Sequence, residues 1–192
     1  MAYSTGMRKE EILGLQWSQV DLMEEKITLR PEDTKNKESR VIFMQGELLE
    51  VLRFQRSLRD QKFPNCPWVF FSDTGEKILD FRGSWETGCI EAGLCRPLTD
   101  ERGNSVKDKK GKPVLIPSKL FHDFRRTAVR RLERASVPRS IAMDLTGHKT
   151  EDVYRRYDIV SDSDLEIAVT MLEDYLSKNR AKIGGSGNFG NP

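Results

Sequence analysis

The sequence has little histidine, little cysteine and no long apolar run, and each scarcity narrows what the chain can be. No stretch approaches the roughly 18 consecutive apolar residues of a membrane-spanning helix, so no membrane association is expected. Three cysteines, at 66, 89 and 95, cannot form a fully paired disulfide set. The N-terminal run MAYSTGMRKEE has none of the regions of a signal peptide, and the expected compartment is a reducing cytoplasm. The two histidines, His122 and His148, make no zinc-finger spacing with Cys89 and Cys95, so no metal is expected. Walker A, HExxH and GxSxG sequences are missing, which removes support for phosphate-loop, zincin and hydrolase chemistry. Gly185-Ser186-Gly187-Asn188-Phe189-Gly190 matches GxGxxG literally. That fingerprint works only between a strand and a helix, so no cofactor is expected.

What is present is charge, unevenly spread. The chain of 192 residues carries a net charge of +2 and has the length of one domain. Residues 96–139 hold 13 Lys or Arg against 5 Asp or Glu, a local +8 against −6 elsewhere. Such an excess suits a surface that meets a polyanion, although a solvated helix face reads the same way.

Periodicity predicts a short helix over 9–17, then a hairpin in which Ile27 and Leu29 alternate against Val41 and Phe43 across a polar turn at 34–38. Helices are expected at 46–62 and 81–92, with a short strand at 68–71. The run 99–117 is polar and basic, with Gly and Pro, and reads as a loop or exposed hairpin. Leu120, Phe124, Ala128 and Leu132 predict a buried helical stripe flanked by Arg125, Arg126, Arg130 and Arg131. Pro138 and Gly147 bracket another helix, Thr150 caps a short one containing Tyr154 and Tyr157, and an amphipathic helix follows Ser161.

Arg8, Lys35, His122, Arg125, His148 and Tyr157 remain as a set of basic and hydroxyl groups. Arg8 follows Thr5-Gly6-Met7 and precedes Glu11 by three residues; Lys35 lies in Thr34-Lys35-Asn36-Lys37. His122-Asp123-Phe124-Arg125 is an H-x-x-R box, Gly147-His148 a G-H box, and Tyr157 comes nine residues after His148. These boxes, in this order, resemble the catalytic domain of the tyrosine recombinases of the phage integrase type over residues 4–180. The resemblance implies a mainly helical α+β fold with a small antiparallel sheet, a catalytic domain at 1–182 and a flexible tail at 183–192. The chain begins almost at the first box, so the helices and the core-binding domain that precede it in the family are expected to be absent.

The chemistry fits those residue types. A phosphodiester under attack gathers charge on its nonbridging oxygens, and guanidinium forks such as Arg8 and Arg125 stabilise it. With no acidic metal-binding cluster evident in the sequence, cationic side chains would do this work, so a metal-independent reaction is expected. A tyrosine of ordinary pKa about 10 needs a proton acceptor or nearby positive charge, which His122 or the arginines can supply. The resemblance implies Lys35 as proton donor to the leaving 5′ oxygen, with Lys37 the alternate, and His148 as a donor to the phosphate. Tyr154 lies three residues from Tyr157, so periodicity alone leaves the two open; the spacing in the resembled family selects Tyr157. Lys37, Lys119 and Arg126 are further candidates for contact with double-stranded DNA. Self-assembly on DNA, as a tetramer through residues 161–180, is expected as well. Strand exchange through a 3′-phosphotyrosyl link, for integration or excision of a mobile element, is the expected activity. A type IB topoisomerase-like enzyme and a non-catalytic DNA-binding regulator are the rival readings.

Overall fold

The computed structural model describes residues 1–157 and 162–184. The chain divides into two units, Met1–Tyr157 and Asp158–Pro192. The first opens with α1 (Ala2–Thr5) and α2 (Lys9–Leu13), followed by a three-stranded antiparallel sheet, β1 (Val20–Asp21), β2 (Lys26–Leu29) and β3 (Arg40–Phe43), in that order. Next come α3 (Glu47–Lys62), α4 (Arg82–Glu91) and a two-stranded ribbon of β4 (Cys95–Pro97) and β5 (Leu115–Pro117). The unit closes with α5 (Asp123–Arg134), α6 (Arg139–Thr146) and α7 (Glu151–Arg155). In the second unit α8 spans Asp162–Gly184, with Leu165, Val169, Leu172 and Leu176 exposed. It runs two residues into the tail expected at 183–192, of which 185–192 lie outside the described residues, as does Ser161. The architecture is mainly helical with small antiparallel sheets, and among the described residues no helix is long and apolar enough to cross a membrane.

Side-chain alternation explains the sheet. Ile27 opposes Ile42 and Leu29 opposes Arg40, and all four are buried, because directly opposed residues share a face of an antiparallel pair. They join Met7, Leu15, Trp17, Met44, Leu52 and Val69 in the larger core. A smaller core of Val129, Ala142 and Tyr154 sits under α5 and α6. Two left-handed glycines terminate helices that abut the site: Gly6 after α1 and Gly147 after α6, both at φ 67°.

Four local expectations need correction. The short helix capped by Thr150 contains Tyr154 but ends at Arg155, so Tyr157 lies two residues past it. Residues 9–17 are not one helix; α2 stops at Gly14, and a 3-10 turn follows at Trp17–Gln19. Residues 68–71 form no strand, only single bridges from Trp68 to Gln16 and from Phe71 to Lys77. The stripe on α5 is rotated: its buried residues are Arg125, Ala128 and Val129, while Leu120 precedes the helix and is exposed. A four-residue step overshoots a helical turn by about 40°, so over 120–132 the supposed stripe drifts away from the real contact with α1 and α6. The run 99–117 is the exposed hairpin alternative, with bridges at Thr99–Ser105 and Lys107–Pro113.

Candidate active site

Arg8 occupies the N-cap of α2, and its position is set by a carboxylate one turn on. Glu11 accepts the Arg8 backbone N–H at 2.9 Å and the Arg8 guanidinium at 2.8 Å. Oε2, which accepts the Arg8 N–H, also accepts from Arg40 at 2.8 Å, so one buried anion holds two cations. Arg8 also donates to the Gly147 carbonyl at 3.5 Å, which accepts Asn36 Nδ2 at 2.8 Å. Asn36 belongs to the turn between β2 and β3, and this bond ties that turn to the loop carrying His148.

Arg125 is 1% exposed. Its Nη1 donates to the Gly6 carbonyl at 2.6 Å and its Nη2 faces the His148 ring, 3.1 Å from Nε2. His148 Nδ1 lies 2.7 Å from Thr146 Oγ1. The Thr146 hydroxyl has one proton, which goes to the Ala142 carbonyl at 2.7 Å; its lone pair therefore accepts His148 Nδ1–H. That assigns the tautomer: the His148 Nε2 lone pair points at Arg125.

His122 precedes α5 directly. Phe121 beside it meets Phe81, Trp85 and Phe124 edge to face at 5.5–5.6 Å, which fixes the backbone that presents the imidazole. His122 Nε2 lies 2.7 Å from the Tyr157 hydroxyl. The Tyr157 ring also stands 4.8 Å from His148 and 5.8 Å from the Arg125 guanidinium. Tyr154 is fully buried in the smaller core, edge-on to His148 at 5.3 Å. An open cleft of about 540 Å³ is lined by Arg8, Lys35, Asn36, Phe121, His122 and Tyr157, among others.

Five of the six residues of the sequence set, Arg8, His122, Arg125, His148 and Tyr157, are thus linked by direct contacts or through Gly147, and Lys35 lines the same cleft. Lys37 is exposed, at φ 54° in the turn, and does not line it. Arg126 is exposed and 3.4 Å from Asp123, and Lys119 is exposed with its carbonyl accepting from Trp85 at 3.1 Å.

A sequence model of the phage integrase family matches residues 1–163. The chain belongs to the phage integrase family. The integrase of Salmonella phage P22 is 24% identical over 156 residues, 81% of this chain and 36% of that protein. The crystal structure of XerA recombinase superposes with a TM-score of 0.64 at 20% identity, covering 88% of this chain and 54% of that one. An integrase of transposon Tn1549, solved with a circular intermediate DNA, gives 0.58 at 16% identity, covering 88% and 56%. The chain therefore spans about a third to a half of the length of these relatives, and its fold is that of the tyrosine recombinases.

The structure gives roles to residues that the sequence reading left without one: Asn36 and Thr146, which lie inside its boxes, and Arg40, which lies outside them. Arg40 had a readable signal. It occupies an inward position of β3, in register with Ile42 and Met44, where an apolar residue is the default. The crowding of cations has an electrostatic result. Burial, then Arg125, Arg8 and Arg40, push His148 down to about 3, and burial with Arg125 and Arg8 lowers His122 below 6.5. Burial and Arg8 bring Arg125 down to about 10, still charged at neutral pH.

With two histidines in the chain, the imidazole nitrogens should resolve by 15N NMR, His148 staying neutral and protonated on Nδ1 at pH 5. The unfolded state takes up that proton near pH 6.5 and the folded state does not. Stability should therefore fall as pH drops from 6.5 toward 3, and His148→Gln should flatten the decline above pH 4.5. A charged His148 at pH 5 would refute the assignment.

Proposed function

We propose that this chain is the catalytic part of a site-specific DNA recombinase that integrates or excises a mobile element. The observation that carries the reading is the Tyr157 hydroxyl at 2.7 Å from His122 Nε2, beside the guanidiniums of Arg8 and Arg125 and the neutral ring of His148. The Tyr157 oxygen attacks the scissile phosphorus while His122, kept neutral by burial and then by Arg125 and Arg8, takes the phenol proton. Arg8 and Arg125 bear the charge that builds on the nonbridging oxygens. Arrival of the phosphate anion favours a proton on His148 Nε2, which then donates to it. As the bond to the 5′ oxygen breaks, Lys35 supplies the proton that oxygen needs. The product is a 3′-phosphotyrosyl link and a free 5′ hydroxyl. Attack by another strand's 5′ hydroxyl reverses every step without ATP.

Phage and transposon integrases among the relatives support the mobile-element role, and the Tn1549 integrase, solved with a circular intermediate DNA, supports duplex DNA as partner. Assembly as a tetramer on DNA, with the exposed apolar residues of α8 packing on a neighbouring protomer, belongs to the same reading, as does action at the cytoplasmic nucleoid. The test is a covalent trap: a nicked duplex from DNA flanking the gene, which loses the attacking 5′ hydroxyl after cleavage, incubated with EDTA. A denaturant-stable adduct through the 3′ phosphate is expected. Its absence with every flanking duplex, with or without a divalent metal, would count against the reading.

A further inference from the structure

Between β4 and β5 the chain makes the same turn twice. Asp100 Oδ1 accepts the backbone N–H groups of Arg102 and Asn104 at 2.9 and 2.8 Å; Asp108 Oδ1 accepts those of Lys110 and Lys112 at 2.8 and 2.9 Å. The backbone closures match as well, with Gly103 N–H on Asp100 O and Gly111 N–H on Asp108 O, both 3.0 Å. The two glycines sit at φ 82° and 77°. Three further bonds, from Leu98 to Val114, Val106 to Leu98 and Val114 to Val106, lock the two turns at a common base.

The repetition supplies an internal control. The fold of the turn requires the aspartate and the glycine, and both turns keep them. The shared backbone bonds use no side chain at Glu101, Arg102 and Asn104 in the first turn or at Lys109, Lys110 and Lys112 in the second; Asn104 alone adds a bond of its own, Nδ2 to Asp100 Oδ2 at 3.3 Å. Since the first turn forms without lysine, the three lysines are not there for folding. All three are exposed. Pre-ordering of their backbone by Asp108 lowers the conformational cost of using them together.

We propose that this second turn binds the phosphate backbone of duplex DNA flanking the cleaved site, an inference that rests on the function proposed above. The reach agrees. His122 follows Pro117 by five residues and Lys110 precedes it by seven, so the tip lies within about 40 Å of His122 along the chain. At about 3.4 Å per base pair, the contact falls within about 12 base pairs of the reacting phosphate.

The test compares the whole chain with the triple variant Lys109→Gln, Lys110→Gln, Lys112→Gln and with a first-turn control, Glu101→Gln with Arg102→Gln, on a fluorescent duplex of about 40 base pairs containing the trapped site. The triple variant should bind about a hundredfold more weakly near 0.1 M salt, with the slope of log K against log salt shallower by about 2 to 3. The control should bind like wild type, and all three proteins should share one thermal midpoint. Wild-type binding with an unchanged slope in the triple variant would overturn this inference alone. So would a defect confined to the joining of protomers on DNA, which would assign the turn to a protein partner. Failure of the wild type to bind any duplex would overturn both this inference and the function it rests on.

Discussion

Tyr157→Phe is expected to abolish the covalent protein–DNA adduct altogether, and Tyr154→Phe to retain it. The first variant deletes the hydroxyl oxygen that lies 2.7 Å from His122 Nε2 and keeps the ring, with its contacts to His122 at 5.4 Å and His148 at 4.8 Å. Its thermal midpoint and its affinity for intact duplex should stay those of wild type. A missing nucleophile cannot be compensated by binding, so no residual adduct is expected even at long incubation. Tyr154→Phe alters a residue with no exposed surface and should cost about 1 kcal/mol of stability while the adduct still forms. Adduct persisting in Tyr157→Phe and vanishing in Tyr154→Phe would reverse the assignment.

Glu11→Ala should be the most destabilising single change around the pocket, by about 3–5 kcal/mol in urea unfolding. It removes the carboxylate that both Arg8 and Arg40 contact at 2.8 Å, leaving the buried Arg40 charge without its partner. Glu11→Gln keeps an acceptor and should lose less. Burial works against ionisation of Glu11, yet Arg40 and the bonds from Arg8 outweigh it and hold its carboxyl below the usual range. The sign follows: the contribution is complete above about pH 4.5, where the unfolded carboxyl is ionised. It is lost as pH falls through the lower folded value, and Glu11→Gln should remove that acid-side loss. A Glu11→Ala variant within about 1 kcal/mol of wild type would show that solvent, not Glu11, compensates Arg40.

The helical boxes were legible because they depend on local spacing. Gly147 ends α6 and Thr150 caps α7 as their residue types dictate, and the hairpin follows from period-2 alternation at 27–29 and 41–43. The polar interior was not legible from composition. Amphipathicity puts Arg125 on a flank, whereas it is the least exposed arginine of α5, because its bond partners, the Gly6 carbonyl and His148, lie 119 and 23 residues away. Arg40 was legible by half: its inward register marks it as unusual, but that position carries no information about the carboxylate it will meet. Thr146 looks like an ordinary helix residue until the Ala142 carbonyl takes its proton.

The bonds that assemble the pocket also dictate when it can exist. Arg125 reaches Gly6 across 119 residues, Asn36 reaches Gly147 across 111, and Arg8 reaches Gly147 across 139. Closing loops of that length must precede any reward from the contacts themselves. A chain still emerging from the ribosome holds Arg8 and the hairpin early, but has no His148 loop to anchor them until nearly the whole unit is made. Assembly of the pocket therefore waits on the last helices of the unit, and a chain stopped short of Gly147 leaves Arg8 and Asn36 without the carbonyl they share.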